Sequence, residues 1–196
     1  IMLWYRDNEI FRLITSGNIA YELCRPCGIY GFWYAKLLGQ RLAGASLRCL
    51  PLLPIALLLP EPYRLGFPPS IANLGLFILS LAIGLLIVVS VSMLLYISVF
   101  WTMSPVGSTL LISIAGEFFA GMVIPVPLMP EWLQKIANFL PFRWSADFPF
   151  RVYTGHIPER EALLGIAAQL VWIVVLIGFG QWLLSRALRR TVIQGG

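Results

Sequence analysis

Cys24-Arg-Pro-Cys27 has the spacing of a redox pair or of half a zinc site. A structural zinc needs about four ligands, and only Cys49 and His156 remain to complete the set. His156 falls beyond several apolar runs, on the far side of the membrane by the topology argued below. A dithiol oxidoreductase would place the pair between a strand and a helix, and no such context surrounds it. Incidental, reduced thiols are the simpler reading. His156 is also the only general base on offer. Ser145 and Asp147 are near it in sequence, yet their spacing matches no nucleophile motif, and a histidine at a wet turn needs no catalytic explanation. A phosphate loop of the form GxxxxGK[ST] is absent, since Gly107-Ser108-Thr109 lacks the lysine. The chain is therefore expected to have no ATPase of its own, and any ATP would act through a partner.

Glu117 is the informative acid. It interrupts an apolar run, where a charge facing lipid costs about 2.5 to 3.5 kcal/mol, so it is expected to face protein or a wet path. It lines a translocation route, or it makes a polar helix–helix contact near Ser90, Ser92 or Gln169. The sequence leaves both open.

These residues sit in a chain with 59% hydrophobic and 12% charged residues and a mean hydropathy of +0.82. That is too little polar surface for a soluble globule. No charge falls in 65–116 or in 162–185, and each interval can cross a bilayer as a helix of about 20 residues. The expected architecture is an all-α integral membrane bundle with about four spans, at 42–60, 70–101, 107–129 and 162–185. The span at 42–60 is broken by Pro51 and Pro54 and holds Arg48, which would snorkel to the near interface. Residues 1–41 form a cytoplasmic region, 130–161 an outer loop and 186–196 a cytoplasmic tail. The opening "IMLWY" reads as the tail of an earlier apolar segment.

Orientation follows from the basic residues. Arg6, Arg12, Arg25, Lys36, Arg41, Arg186, Arg189 and Arg190 outnumber Arg64, Lys135, Arg143, Arg151 and Arg160 on the other side. The excess favours a cytoplasmic N-terminal third and C-terminus. Within the outer loop, Trp132, Leu133, Ile136, Phe139 and Leu140 recur at helical spacing between prolines, which predicts a short amphipathic helix at the interface or dipping into it. Gly31, Ala35, Gly39 and Ala43 line one face of the preceding helix with small residues, as a close-packing stripe does. Before it, Asp7 or Asn8 can cap a helix carrying Ile10, Phe11 and Ile14, Gly17 ends it, and Pro26 stops the next short element. Short helices of this kind suit a membrane protein that receives force from a soluble motor.

The same segment carries a resemblance. Residues 14–26 follow the pattern I-x-x-G-x-(L/I)-A-x-x-L-x-R-P, and Arg48-Cys-Leu-Pro51, Phe100-Trp101, "FFAGMVIPVPLMPEWLQKIANFLPF" and Tyr153-Thr-Gly155 follow in order. The series resembles the type-2 membrane family of ATP-binding-cassette (ABC) permeases, nearly end to end. What the resemblance implies is a six-span exporter half in the inner (plasma) membrane. Its ATPase-coupling segment would be Glu9 to Pro26, with Glu9, Phe11, Gly17, Ala20, Glu22, Leu23, Arg25 and Pro26 as the site, and its re-entrant outer hairpin would be Phe119 to Phe142. It implies ABC ATPase subunits and a second permease half as partners in the lipid bilayer, ATP and magnesium held by the ATPase, no cofactor or metal on this chain, and no nucleic acid. Family members usually have apolar residues at Cys24 and Cys27, which further weakens a thiol role. Two alternatives stay open: a secondary transporter using Glu117 as an ion site, and an intramembrane enzyme using His156.

Overall fold

Isoleucine and valine crowd the second half of "IANLGLFILSLAIGLLIVVSVSMLLYISVFWT", residues that favour strands in water. In hydrocarbon the backbone has no water to bond to, so a single segment must satisfy itself as a helix. The computed structural model describes residues 8–102 and 104–189. The "IMLWY" opening, Arg6, Asp7, Arg190 and the rest of the tail expected to be cytoplasmic lie outside the described residues.

Among the described residues, eight α-helices follow in order: α1 Asn8–Thr15, α2 Ile19–Leu23, α3 Ile29–Leu58, α4 Ile71–Thr102, α5 Pro105–Phe119, α6 Glu131–Phe139, α7 Asp147–Tyr153 and α8 Glu159–Leu188. The fold is thus the expected all-α membrane bundle. α3, α4 and α8 are each long and apolar enough to cross a membrane, and at about 1.5 Å per residue each exceeds the roughly 30 Å of hydrocarbon. α3 starts at Ile29, well inside the region read as cytoplasmic, and runs unbroken through 41–42 and past Pro51 and Pro54. Its polar residues Lys36 and Arg41 are carried on the helix because neighbouring helices supply their partners.

α5 opens at Ser104, whose extended backbone leads into Pro105 at the first turn, and it stops at Phe119. The apolar run continues to Met129, but Pro125 and Pro127 lack backbone donors, so the chain instead makes a 3-10 turn at Val126–Leu128 before α6. Within α6 only Ala137 is buried, and Trp132, Ile136 and Phe139 are exposed, as the amphipathic pattern expects.

α4 is the hub. Ser70 meets Glu159 at its start, Gln169 donates to the Ser80 carbonyl further on, and Leu184 joins Tyr96 in one apolar cluster near its end, so α4 and α8 run side by side in the same direction. The first turns of α3 pack where α4 and α8 finish. Within α4, Ser80, Ser90, Ser92 and Ser98 each donate to a carbonyl three or four residues earlier, which lets hydroxyls sit in an apolar bundle. At the opposite end α7 wedges against both helices. Phe148 presses on Gly165 so closely that a Cβ there would lie 2.2 Å from the ring. The small-residue stripe Gly31, Ala35, Gly39 and Ala43 faces outward, uncovered by any described residue.

Candidate functional site

α1 has a sharply two-sided sequence, and the structure uses both sides. Ile10, Phe11 and Ile14 are buried in a cluster with Trp33 and Leu37 of α3, Met93 and Tyr96 of α4, and Leu184 of α8. Glu9 on the outer side receives a 2.7 Å bond from Lys36, tying α1 to α3. The Thr15 and Ser16 hydroxyls donate to the Phe11 and Arg12 carbonyls, the latter also accepting the Ser16 N–H at 2.9 Å, so the last turn of the helix is bonded twice over. Gly17 then takes φ +76°. A Cβ there would meet nothing within 4 Å, so the glycine is required by backbone sign, not by space.

α2 is one turn long and cannot hold itself. Ile19 anchors it from below, and Glu22, 8% exposed, accepts Arg25 Nη2 at 3.0 Å. The Arg25 guanidinium also sits 4.6 Å above the Phe32 ring, so one cation fastens α2 to the first turn of α3. Pro26 ends the segment, exposed, before α3 begins.

The expected coupling residues therefore divide. Phe11 and Glu22 point into the protein, Ala20 is half-buried, and Glu9, Leu23, Arg25 and Pro26 lie outward around the Gly17 turn. The outward face has its own shape: Glu9, Arg12, Leu13, Thr15, Ser16 and Asn18 line an open hollow of about 550 Å³. Tyr21 of α2 is 76% exposed. Sequence reasoning passed over Tyr21. Its offset from Ile19 and Glu22, which share the inward face of α2, is the signal that separates it from them.

Glu117 lies elsewhere, near the end of α5, half-buried. The partners suggested for it are engaged with other groups: Ser90 with Tyr34, Ser92 with Arg41, and Gln169 with the Ser80 and Trp144 carbonyls. Cys24, Cys27 and Cys49 are free and exposed. Among the described residues no group of three or more His, Cys, Asp or Glu could hold a metal. His156 Nδ1 lies 2.8 Å from Thr154 Oγ1, while the Ser145 hydroxyl is buried and donates to the Phe142 carbonyl. Each of the two is thus bonded to a near neighbour in sequence.

A second charged cluster braces the end of the bundle away from α1. Arg143 donates through Nε to Asp147 Oδ2 at 3.3 Å and through Nη1 to Asn138 Oδ1 of α6, and Arg151 Nη1 stands 4.0 Å from the same Asp147 oxygen. Burial pushes the Arg143 guanidinium below its ordinary pKa, and the Asp147 carboxylate opposes that shift. Sequence reasoning had weighed Asp147 only as a catalytic orienter. Its contacts, to Arg143 and through it to Asn138 of α6, to Arg151 of α7 and beside Gly121 in the turn after α5, make it the joint of these elements.

A family model described as an ABC-2 family transporter protein matches residues 3–195 of the chain. No curated protein and no solved structure matches it.

Proposed function

The chain belongs to the ABC-2 family of transporter proteins, as a multi-pass membrane permease, and from that premise we propose that it is the membrane-spanning half of an ATP-driven exporter. α1 and α2 are its handle for a separate ATPase. One observation carries this reading: a short amphipathic segment is folded across the end of the bundle where α3 starts and α4 and α8 finish, with its apolar side packed inward and an open hollow, lined by Glu9, Arg12 and Leu13 among others, left outward.

A force applied to the outer face reaches the spans by two routes. Glu9 pulls on Lys36 of α3, and Phe11 bears on Tyr96 of α4. Nucleotide binding would bring a pair of ATPase subunits together, shift both handles, and rock this permease half against a second one so that a central route opens alternately to each side. ATP and magnesium stay with the ATPase throughout. In this reading the handle is at the cytoplasmic end, together with the C-terminus, and the membrane is the inner (plasma) membrane.

Copurification with the candidate ATPase tests the reading, using Tyr21→Asp and Arg25→Glu. Association and stimulated ATP hydrolysis are expected to drop in both variants while the permease itself stays folded. Wild-type levels of both in both variants would sink the assignment of this face.

A further inference from the structure

The buried residues of α3 are Ile29, Tyr30, Trp33, Leu37 and Arg41. They share one face, a turn apart, and Arg41 is the last: from 42 to 58 every residue is exposed or half-exposed. An apolar helix that ends its packed face on an arginine needs a reason, because a guanidinium in a membrane span is costly unless turned inward to a partner. Arg41 is turned inward. Its Nη2 donates to Ser92 Oγ of α4 at 2.7 Å, and Ser92 in turn donates to the Val88 carbonyl at 2.8 Å.

Nearer the start of α3, the Tyr34 hydroxyl lies 3.0 Å from the Leu86 carbonyl and 3.2 Å from Ser90 Oγ. The α3 contacts thus converge on Ser90 and Ser92, within one turn of α4. Apolar packing alone tolerates sliding of one helix along another. A charged donor on a hydroxyl that is itself fixed does not, because the bond is short and directional.

We propose that Arg41 is a positioning residue of the transport cycle, the pivot at which α3 is held to α4. Displacement of α1, delivered to α3 through Lys36, then reaches residues 42–58 as a swing about Arg41 and is not lost as sliding along α4. This rests on the ATPase-driven reading above.

Cys49 is exposed on α3 beyond the pivot, which offers a native labelling position. In the assembled transporter, Cys24→Ser and Cys27→Ser leave Cys49 single, and Leu163→Cys adds a second exposed site on α8. Spin labels at these two positions report their separation without nucleotide and with a trapped ATP analogue. A nucleotide-dependent change is expected in the parent protein, retained in Arg41→Lys and lost or roughly halved in Arg41→Met and Ser92→Val. If Arg41→Met does not assemble, Ser92→Ala, which deletes the acceptor without adding bulk, decides. An unchanged response in the Met, Val or Ala variants overturns the pivot, as does a parent complex that binds its ATPase yet shows no change. A parent protein that binds no ATPase instead overturns the handle assignment, and the pivot falls with it.

Discussion

The ring of Phe11 lies 4.6 Å from that of Tyr96, tilted by 43°, joining the short N-terminal helix to the hub of the bundle. An eight-residue helix has no stability of its own, so this contact and its neighbours hold it in place. Phe11→Ala should weaken docking by about 3 kcal/mol, and Phe11→Leu by less. Amide exchange across residues 8–16 is expected to speed up strongly in the Ala variant, and ATPase association to fall although the side chain is only 5% exposed. Unchanged exchange would show that α1 is held by other means.

Glu22 and Arg25 form a pair with one inward member and one outward member. Solvent at Arg25 weakens it, so the coupling is about 1 kcal/mol. Arg25→Ala should loosen α2, and adding Glu22→Gln should cost little more, because the two act as one unit. A double-mutant cycle read by ATPase affinity checks this; additive losses would mean that Arg25 works through Phe32 or the partner alone.

Gly165 has no room for a side chain beneath Phe148. Gly165→Ala is expected to lower stability by roughly 1 to 3 kcal/mol through overpacking, and Phe148→Leu in the same protein should recover part of it. Thermal unfolding in detergent, followed by tryptophan fluorescence, distinguishes the single from the double variant.

Asp147 serves two arginines and is itself largely buried, with 7% of its side chain exposed. Asp147→Asn leaves Arg143 without its compensating charge, at a cost of roughly 2 kcal/mol, between that of an exposed and a buried pair. The midpoint of unfolding should drop more than for Arg151→Ala, whose partner keeps Arg143. Equal losses would place the weight on Arg151.

Glu117→Gln should leave assembly and ATPase stimulation near wild type. Neither Ser92 nor Gln169 spends its described hydrogen bonds on Glu117. Abolished transport with intact assembly would restore the alternative in which this acid carries an ion.

Hydropathy made the helical class readable, because a charge-free run of such length has few solutions in lipid. Hydropathy alone could not read where α5 ends, since the residues after Phe119 are as apolar as those before it; the helix closes on Gly121 at φ +76°, where the Gly121 and Met122 N–H groups donate back to Phe118 and Glu117, ahead of the prolines. Nor could it read that the helix carrying the Gly31–Ala43 stripe and the span at 42–60 are one helix from Ile29: Lys36 and Arg41 look like its polar boundary until Glu9 and Ser92 are placed beside them by other helices. The two-sided pattern of Ile10, Phe11 and Ile14 was plain in the sequence. Which side faces inward was not, because the cavity that accepts Phe11 is built by Tyr96, far along the chain.

α4 and α8 keep company from Ser70 and Glu159 to Tyr96 and Leu184, pointing the same way throughout. Two helices packed side by side bend far less than one, so together they form a strut of roughly 45 Å at about 1.5 Å per residue. In a stiff strut that turns about a point between its ends, a sideways displacement of the Tyr96 end appears with opposite sense at the Ser70 end, where Glu159 sits. The Asp147 joint is then the far end of a lever whose near end is Phe11, and stiffness, not a chain of local rearrangements, is what connects them.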